Sequence, residues 1–395
     1  MNIAVISMYN FPTGMAASNR ILAYVKGLMA NGANVTVLLP FPETSKQNYG
    51  YFDGIRYIST YGRKKSKYKI IRGIAKVSQY RQIRALVNIF LCMVIRHKIS
   101  YDFIIASTDT ISHLLCYTLI AKLLESKIIF IADEYPIPIR HKLKEKIPFW
   151  KTSLYKFVLK RFDGYIFISE ALSRFYNNIC KKPTYILGVI IDTSRFENIE
   201  NKDLNSKQRY LCYMGNMELA KDNVDLIIKS FSYIAKEFPD INLYLYGEPN
   251  TATINYLQKL INELGLGERI YLQGKANYEE VPIILHSAEI LLASQPNTKR
   301  ASGGFPTKLG EYLLSEKPAI FTRVGENDKY VIENKHVFFV EPENMIEYAN
   351  KMRYILQNYS SSVVIAKQGR QYVEDNYSYI IVGKELYNFL KSLKI

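Results

Sequence analysis

The chain begins with an apolar run, Ile3–Ser7, that is too short for a helix and is closed by the loop Tyr9-Asn10-Phe11-Pro12-Thr13-Gly14. A continuous short run of this kind reads as a strand buried on both faces. Ile21, Leu22, Val25, Leu28 and Met29 then recur at helical spacing and stop at Asn31-Gly32, where glycine suits the turn that ends a helix. Further apolar runs predict strands at Val35–Leu39, Ile55–Ile58, Phe103–Ala106, Ile128–Ile131, Tyr165–Ile168 and Thr184–Leu187. Asn198–Lys207 is polar and aperiodic, as a linker would be. The alternation then resumes with a strand at Tyr210–Met214 and a helical face of Val224, Ile227, Ile228, Phe231 and Ile234. Strands are predicted again at Ile241–Tyr246, Arg269–Leu272, Ile290–Ala293, Pro318–Thr322 and Val337–Val340, and helices over Glu343–Gln357 and from Ser361 onward. Strand and helix in alternation predict α/β domains with parallel sheets, here two in tandem.

Length and composition agree with two cores: 395 residues, 48% of them hydrophobic. Charge adds something the pattern does not. Gly54–Tyr101 holds 12 Lys/Arg and no Asp or Glu, and Arg140–Arg161 holds 8 against the single Glu145. These two stretches exceed the whole net charge of +16, so the rest of the chain is slightly acidic. The stretch Arg63–Arg84 mixes its cations with Tyr68, Ile70, Ile71, Ile74 and Val77; His141–Lys151 adds Ile147, Phe149 and Trp150, the single Trp. Cations with apolar anchors suit an anionic membrane surface; a merely solvated basic face is the alternative. The longest apolar stretch, Ala85–Ile95, is about half the roughly 20 residues a spanning helix needs. Met1–Ile6 leads straight into loop chemistry, so no signal peptide is expected. Cys92, Cys116, Cys180 and Cys212 form no C-x-x-C pair, which predicts a reducing, cytoplasmic setting.

In such domains ligands sit beyond the carboxyl ends of the strands, so the loops after Ser7, Met214, Tyr246, Leu272 and Ser294 are the ones to read. None carries a dinucleotide G-x-G-x-x-G or a G-x-x-x-x-G-K-[ST], and D-x-D and H-E-x-x-H are absent from the chain. No metal and no cofactor are expected. The strongest signal is Ser302-Gly303-Gly304-Phe305-Pro306-Thr307-Lys308-Leu309-Gly310-Glu311-Tyr312-Leu313, small residues and a Pro leading into a helical pattern. Pro fits the first helical position, and the amides of a first turn can receive phosphate. Glu311, a turn further on, can accept two hydrogen bonds from a vicinal diol such as ribose.

These segments, in their order and spacing over nearly the whole chain, resemble glycosyltransferase family 4. The resemblance runs through Asp163–Leu172, Gly188–Phe196, Tyr213–Asn216 with Lys221 and Asp225, Leu243–Gly247, Gln273-Gly274, Ala288–Ser294 and Phe305–Pro318. It implies the GT-B fold, two Rossmann-like, doubly wound domains facing across a cleft. Residues 1–197 would be the acceptor-side domain and 198–375 the donor domain, with a helix over 376–395 returning to the first. The implied reaction moves a sugar, with retention, from a nucleotide-diphosphate sugar (UDP ahead of GDP) to a saccharide hydroxyl. The F-P-T-K-L-G-E-Y run is similar to a subset common in polysaccharide assembly. Both basic stretches fall in the acceptor-side domain, so a lipid-linked acceptor and a place on the inner face of the plasma membrane are expected.

Residue by residue, the resemblance makes Lys221 a partner of the donor phosphates and Glu311 the ribose ligand, second of an E-x7-E pair. The first Glu of that pair falls at Gly303, so amides of Gly303, Gly304 and Phe305 are expected at the donor instead. Asn216 stands where many relatives have Arg. Gly247 and Lys275 lie on loops used around base and diphosphate, and Ser302, Pro306, Thr307 and Lys308 complete the donor segment. Gly14 matches the acceptor-side loop. Asp133 and Glu134, at a strand end where relatives have His-Asp, would orient the acceptor hydroxyl or act as base; capping of the next turn is the alternative. A non-catalytic sugar-nucleotide scaffold and a nucleotide-sugar epimerase are the rival readings on this fold. A nucleic-acid-binding protein is a third, and no recognition motif supports it.

Overall fold

The computed structural model describes residues 1–14, 16–41, 49–60, 78–96, 99–108, 110–137, 139, 146–199, 208–304 and 308–394. Most of Arg63–Arg84, the stretch His141–Glu145 and the segment Phe305–Thr307 therefore lie outside the described residues. The chain divides into two units, Met1–Asp192 with Tyr379–Ile395, and Thr193–Ser378.

Among the described residues the first unit is built on eight strands: β1 (Asn2–Ile6), β2 (Asn34–Leu39), β3 (Tyr49–Phe52), β4 (Ile55–Ser59), β5 (Phe103–Ala106), β6 (Lys127–Ala132), β7 (Gly164–Phe167) and β8 (Thr184–Ile186). Their order is β3-β4-β2-β1-β5-β6-β7-β8. All pairs are parallel except β3 with β4. That hairpin was not expected from the sequence. Its turn is Asp53-Gly54, with φ of 47° and 75°, the left-handed pair that matches the twist of a two-residue hairpin. β3 sits at the sheet edge with Tyr49 and Tyr51 in solvent, so it has no apolar alternation to betray it.

The helix Ala16–Ala30 buries Ile21, Leu22, Val25 and Leu28. Gly27 on the same helix meets the helix Tyr379–Ser392, which belongs to this unit. A Cβ at Gly27 would stand 2.2 Å from the Tyr379 carbonyl oxygen and 2.9 Å from Gly383 Cα, so only glycine allows the two backbones this close. The Tyr379 N–H donates to the Ile191 carbonyl at 2.8 Å. The helical pattern from Ser361 onward thus breaks at Ser378, between Tyr359–Tyr377 and Tyr379–Ser392. On another part of the unit, Ile111–Leu123 packs against both Ser78–Phe90 and Phe149–Leu159.

Among the described residues the second unit has six strands, all parallel: β9 (Arg209–Met214), β10 (Ile241–Tyr246), β11 (Ile270–Gly274), β12 (Ile290–Leu292), β13 (Ala319–Thr322) and β14 (Phe338–Val340). They run in the order β11-β10-β9-β12-β13-β14. Ile227, Ile228 and Phe231 of the helix Val224–Ser232 pack in one cluster with Tyr348, Met352 and Ile355 of Met345–Gln357. Setting the edge hairpin aside, both sheets reverse direction next to their first strand, between β1 and β5 and between β9 and β12. Crevices open beyond the carboxyl ends at such points.

Candidate functional site

The β9–β12 reversal is pinned by one side chain. Tyr312 Oη accepts from the Met214 N–H at 3.0 Å and donates to the Leu292 carbonyl at 3.2 Å, tying the ends of both strands together. Burial holds its hydroxyl well above the usual tyrosine pKa, so it stays protonated and able to donate.

The loop after β9 turns tightly. The Gly215 N–H bonds the Tyr246 carbonyl at 2.9 Å, and the Gly247 N–H bonds the Gly274 carbonyl at 2.8 Å. A Cβ at Gly247 would lie 2.1 Å from the Gly215 carbonyl oxygen, so Gly247 is required by backbone proximity. Met217, buried and not glycine, takes φ of 54°; Tyr213 Oη accepts its N–H at 3.2 Å. Non-glycine residues held in this region cost of order 1–3 kcal/mol and gather at functional loops.

Into this loop comes Lys308, the first residue of the helix Lys308–Leu314. Its ammonium lies 2.6 Å from Asp222 Oδ1 and 4.3 Å from the centre of the Tyr213 ring. Burial pulls its pKa below that of an ordinary lysine, Asp222 opposes the shift and the Lys221 charge adds to it. A Cβ at Gly215 would sit 2.7 Å from Lys308 Nζ and 2.4 Å from Tyr213 Oη; glycine there is what lets the ammonium in. One turn on, Glu311 pairs with Arg195, whose guanidinium also donates to the Tyr278 carbonyl at 3.0 Å and lies 3.9 Å from the centre of the Tyr278 ring. A third pair closes the group: Arg300, on the helix Lys299–Gly303, binds Glu218 through two nitrogens at 2.6 and 3.3 Å. Such a site can hold an anion between Lys308 and Lys221 while Glu311 accepts hydroxyl donors.

Among the predicted donor residues, the structure thus gathers Lys308, Gly247 and Asn216 around the β9 loop. Asn216 Oδ1 accepts the Glu218 N–H at 3.1 Å, so its side chain shapes the loop. Lys221 follows on the same loop, its N–H bonded to the Glu218 carbonyl at 2.8 Å. Lys275 is exposed beyond β11, next to Gly274 at φ of 74°. One expectation is corrected. Ser302 and Gly303, read as small residues leading into a helix, are themselves the end of the helix Lys299–Gly303, capped by Thr298 Oγ1, which accepts the Ala301 N–H. The Gly304 N–H is taken by the carbonyls of Arg300 and Ala301, both at 3.1 Å, so helical bonding leaves that amide no capacity for a donor. Phe305, Pro306 and Thr307 lie outside the described residues.

In the first unit Asp133 and Glu134 follow β6. Asp133 Oδ1 is 3.4 Å from Nε of the buried Arg20, whose other nitrogens donate to the carbonyls of Leu187 and Gly188. Asp133 thus faces a cation that ties two strand-end segments together. A Cβ at Gly14 would strike Ser18 Oγ at 2.2 Å, so Gly14 is needed for the turn into Ala16–Ala30. His113 is fully buried between Phe41 and Tyr117, and burial lowers its pKa to about 4. Sequence reasoning missed Arg195, Asp222, Tyr312, Arg20 and the Arg300–Glu218 pair. Of these, Arg195 and Tyr312 lay in segments already singled out, Gly188–Phe196 and Ser302–Leu313. Among the described residues no group of three or more His, Cys, Asp or Glu is gathered as metal ligands would be.

Residues 194–372 match the family described as glycosyl transferases group 1. That match covers nearly the whole of the second unit. Mannosylfructose-phosphate synthase of Agrobacterium fabrum is 22% identical over 174 residues, covering 41% of this chain and 37% of its own length. The match therefore spans well under half of that curated relative. Among solved structures, sucrose-phosphate synthase from Thermosynechococcus elongatus superimposes with a TM-score of 0.75 at 15% identity, over 100% of this chain and 99% of its own. HepE of Anabaena in complex with UDP-glucose gives a TM-score of 0.67 at 12% identity, over 99% and 100%. At such identities the likeness is one of fold, and that fold is GT-B.

Proposed function

We propose that the protein is a nucleotide-sugar glycosyltransferase whose second unit binds the donor at the ends of β9 and β12. The observation that carries this reading is Lys308, drawn into a buried pair with Asp222 through a gap that only Gly215 leaves open. An ammonium at that point, with Lys221 on the same loop, suits a diphosphate leaving group. Preorganised donors at developing charge are worth several kcal/mol, roughly 2.7–4 for one good donor. Glu311 would accept the ribose hydroxyls while Arg195 fixes its orientation, and Lys275 and Asn216 flank the base and diphosphate. The UDP-glucose in the HepE structure supports a UDP-sugar donor.

The finer reading is a retaining member of glycosyltransferase family 4 acting in envelope polysaccharide assembly. Its acceptor would be a saccharide hydroxyl, lipid-linked, on the inner face of the plasma membrane. The first unit would hold that acceptor, with Asp133 beside its hydroxyl. The Arg20 guanidinium beside Asp133 would hold that carboxylate in place to orient the hydroxyl.

The test is the rise in melting temperature with UDP, GDP, ADP and CMP, with and without EDTA, in the wild type and Glu311→Gln. Ligand at about 100 times its dissociation constant adds roughly 2.7 kcal/mol. The expected result is a rise with UDP that survives EDTA and is lost in Glu311→Gln, a change that keeps an acceptor for Arg195. No rise with any nucleotide would overturn the reading, and product formed from donor sugar without acceptor would favour the epimerase.

A further inference from the structure

We infer that the outer face of the first unit formed by the helices Ile111–Leu123 and Phe149–Leu159 docks on an anionic lipid bilayer. The inference deepens the lipid-linked acceptor reading and rests on it for the acceptor alone. Leu115, Leu119 and Leu123 recur every fourth residue, so they form one stripe, and they are 40%, 53% and 53% exposed. On the second helix Tyr155, Val158 and Leu159 are buried, while Phe149, Trp150, Leu154 and Phe157 stand in solvent, Phe149 at 86% and Trp150 at 63%. The two helices pack side by side, so the stripes are neighbours. The hydroxyls among them do not make the face polar: Thr152 Oγ1 donates to the Pro148 carbonyl and Ser153 Oγ to the Phe149 carbonyl, each at 3.3 Å.

Charge decides what covers this face. From Lys146 to Arg161 the sequence has Lys146, Lys151, Lys156, Lys160 and Arg161 and no Asp or Glu. The Arg161 guanidinium lies over the Phe157 ring at 3.8 Å, joining cation and apolar surface in one patch. Apolar side chains interspersed along the second helix with cations and no anion fit a surface that offers both hydrocarbon and negative charge, as an anionic bilayer does. Long lysine stems lie along the apolar surface while the ammonium reaches the headgroups. Among the described residues no helix is long and apolar enough to cross a membrane, so docking in the interfacial plane is the mode these helices allow.

Trp150 is the single Trp of the chain, so its emission reports this face alone. The full chain is mixed with phosphatidylcholine vesicles, with or without phosphatidylglycerol, and followed by fluorescence and co-sedimentation. The expected result is a blue shift and co-sedimentation with phosphatidylglycerol vesicles, both reduced by high salt. Lys156→Ala with Lys160→Ala should weaken binding roughly 25-fold, at about fivefold per charge. Leu119→Ser with Phe149→Ser should weaken it at least about tenfold. All four positions are exposed, and unchanged melting curves show that the variants fold. No shift with either vesicle overturns the inference, as does an equal shift with both. A shift in buffer that grows with protein concentration also overturns it, because a second copy then covers the face. UDP melting curves on the same samples separate the two readings: a nucleotide response without a vesicle response sinks docking alone, and the reverse sinks the glycosyltransferase reading.

Discussion

The two units share a strand order and differ in how they treat their cations. At the strand ends of the second unit the buried cations are matched with carboxylates: Lys308 with Asp222, Arg195 with Glu311, Arg300 with Glu218. The first unit matches Arg20 with Asp133 inside and leaves Lys146 to Arg161 on the outside with no acidic residue among them in sequence. Buried pairs are ties whose breaking costs several kcal/mol, whereas surface cations cost the fold almost nothing. The excess positive charge of the first unit thus lies on its surface, while the named cations of the second are drawn inward to hold the loop at the candidate site.

Lys308→Met should break the contrast most. It leaves Asp222 buried without its cation, at about 3–5 kcal/mol. The melting transition of the second unit should fall by roughly 6–20 °C at about 2–4 °C per kcal/mol, with the UDP response gone; a transition moved by less than a degree would refute the pairing. Next comes acid. Burial lowers the His113 pKa from 6.5 to about 4, so between those values the unfolded chain takes up a proton that the folded one refuses. Stability is full above pH 6.5 and lost progressively as pH falls toward about 4, by about 3 kcal/mol. Denaturant titrations of His113→Leu over this range should show a shallower acid slope than wild type; parallel slopes would contradict the burial.

Gly215→Ala sharpens the comparison at smaller scale. The new methyl pushes Lys308 Nζ away from Asp222, an overpacking cost of about 1–3 kcal/mol. Because both changes act on one pair, Gly215→Ala combined with Lys308→Met should cost less than the sum of the two, and strict additivity in urea melts would disprove the coupling. The smallest effect belongs to the outer face: Lys156→Ala should leave stability within about 0.5 kcal/mol. A larger loss would mean that this cation is part of the fold after all.

The sheets were legible because buried strands announce themselves as apolar runs: β1, β2, β5, β9 and β10 fall where the pattern puts them. β3 was not, since Tyr49-Gly50-Tyr51-Phe52 lies at an edge that needs no buried face. The helix Lys299–Gly303 was hidden by its small residues, which look like loop; its start lies in the Thr298 cap, a local hydrogen bond with no periodicity. Within the candidate site, Lys308 and Glu311 stood out by motif and helical spacing. Their partners did not, because Asp222 and Arg195 are brought to them by topology across 86 and 116 positions. Nothing local in a sequence marks such an encounter. Arg20 escaped for the same reason: a lone Arg in an apolar helix face is indistinguishable from a solvated one until the carbonyls of Leu187 and Gly188 arrive.

The contact between Gly27 and Gly383 has a consequence for synthesis. A ribosome translates Thr193–Ser378 in full before it makes the helix that seals the first unit. Ala16–Ala30 must wait, one side uncovered, for a segment translated some 350 codons later. At about 5–20 residues per second that wait lasts tens of seconds, an interval in which an unfinished helix face is exposed to chaperones and to other nascent chains.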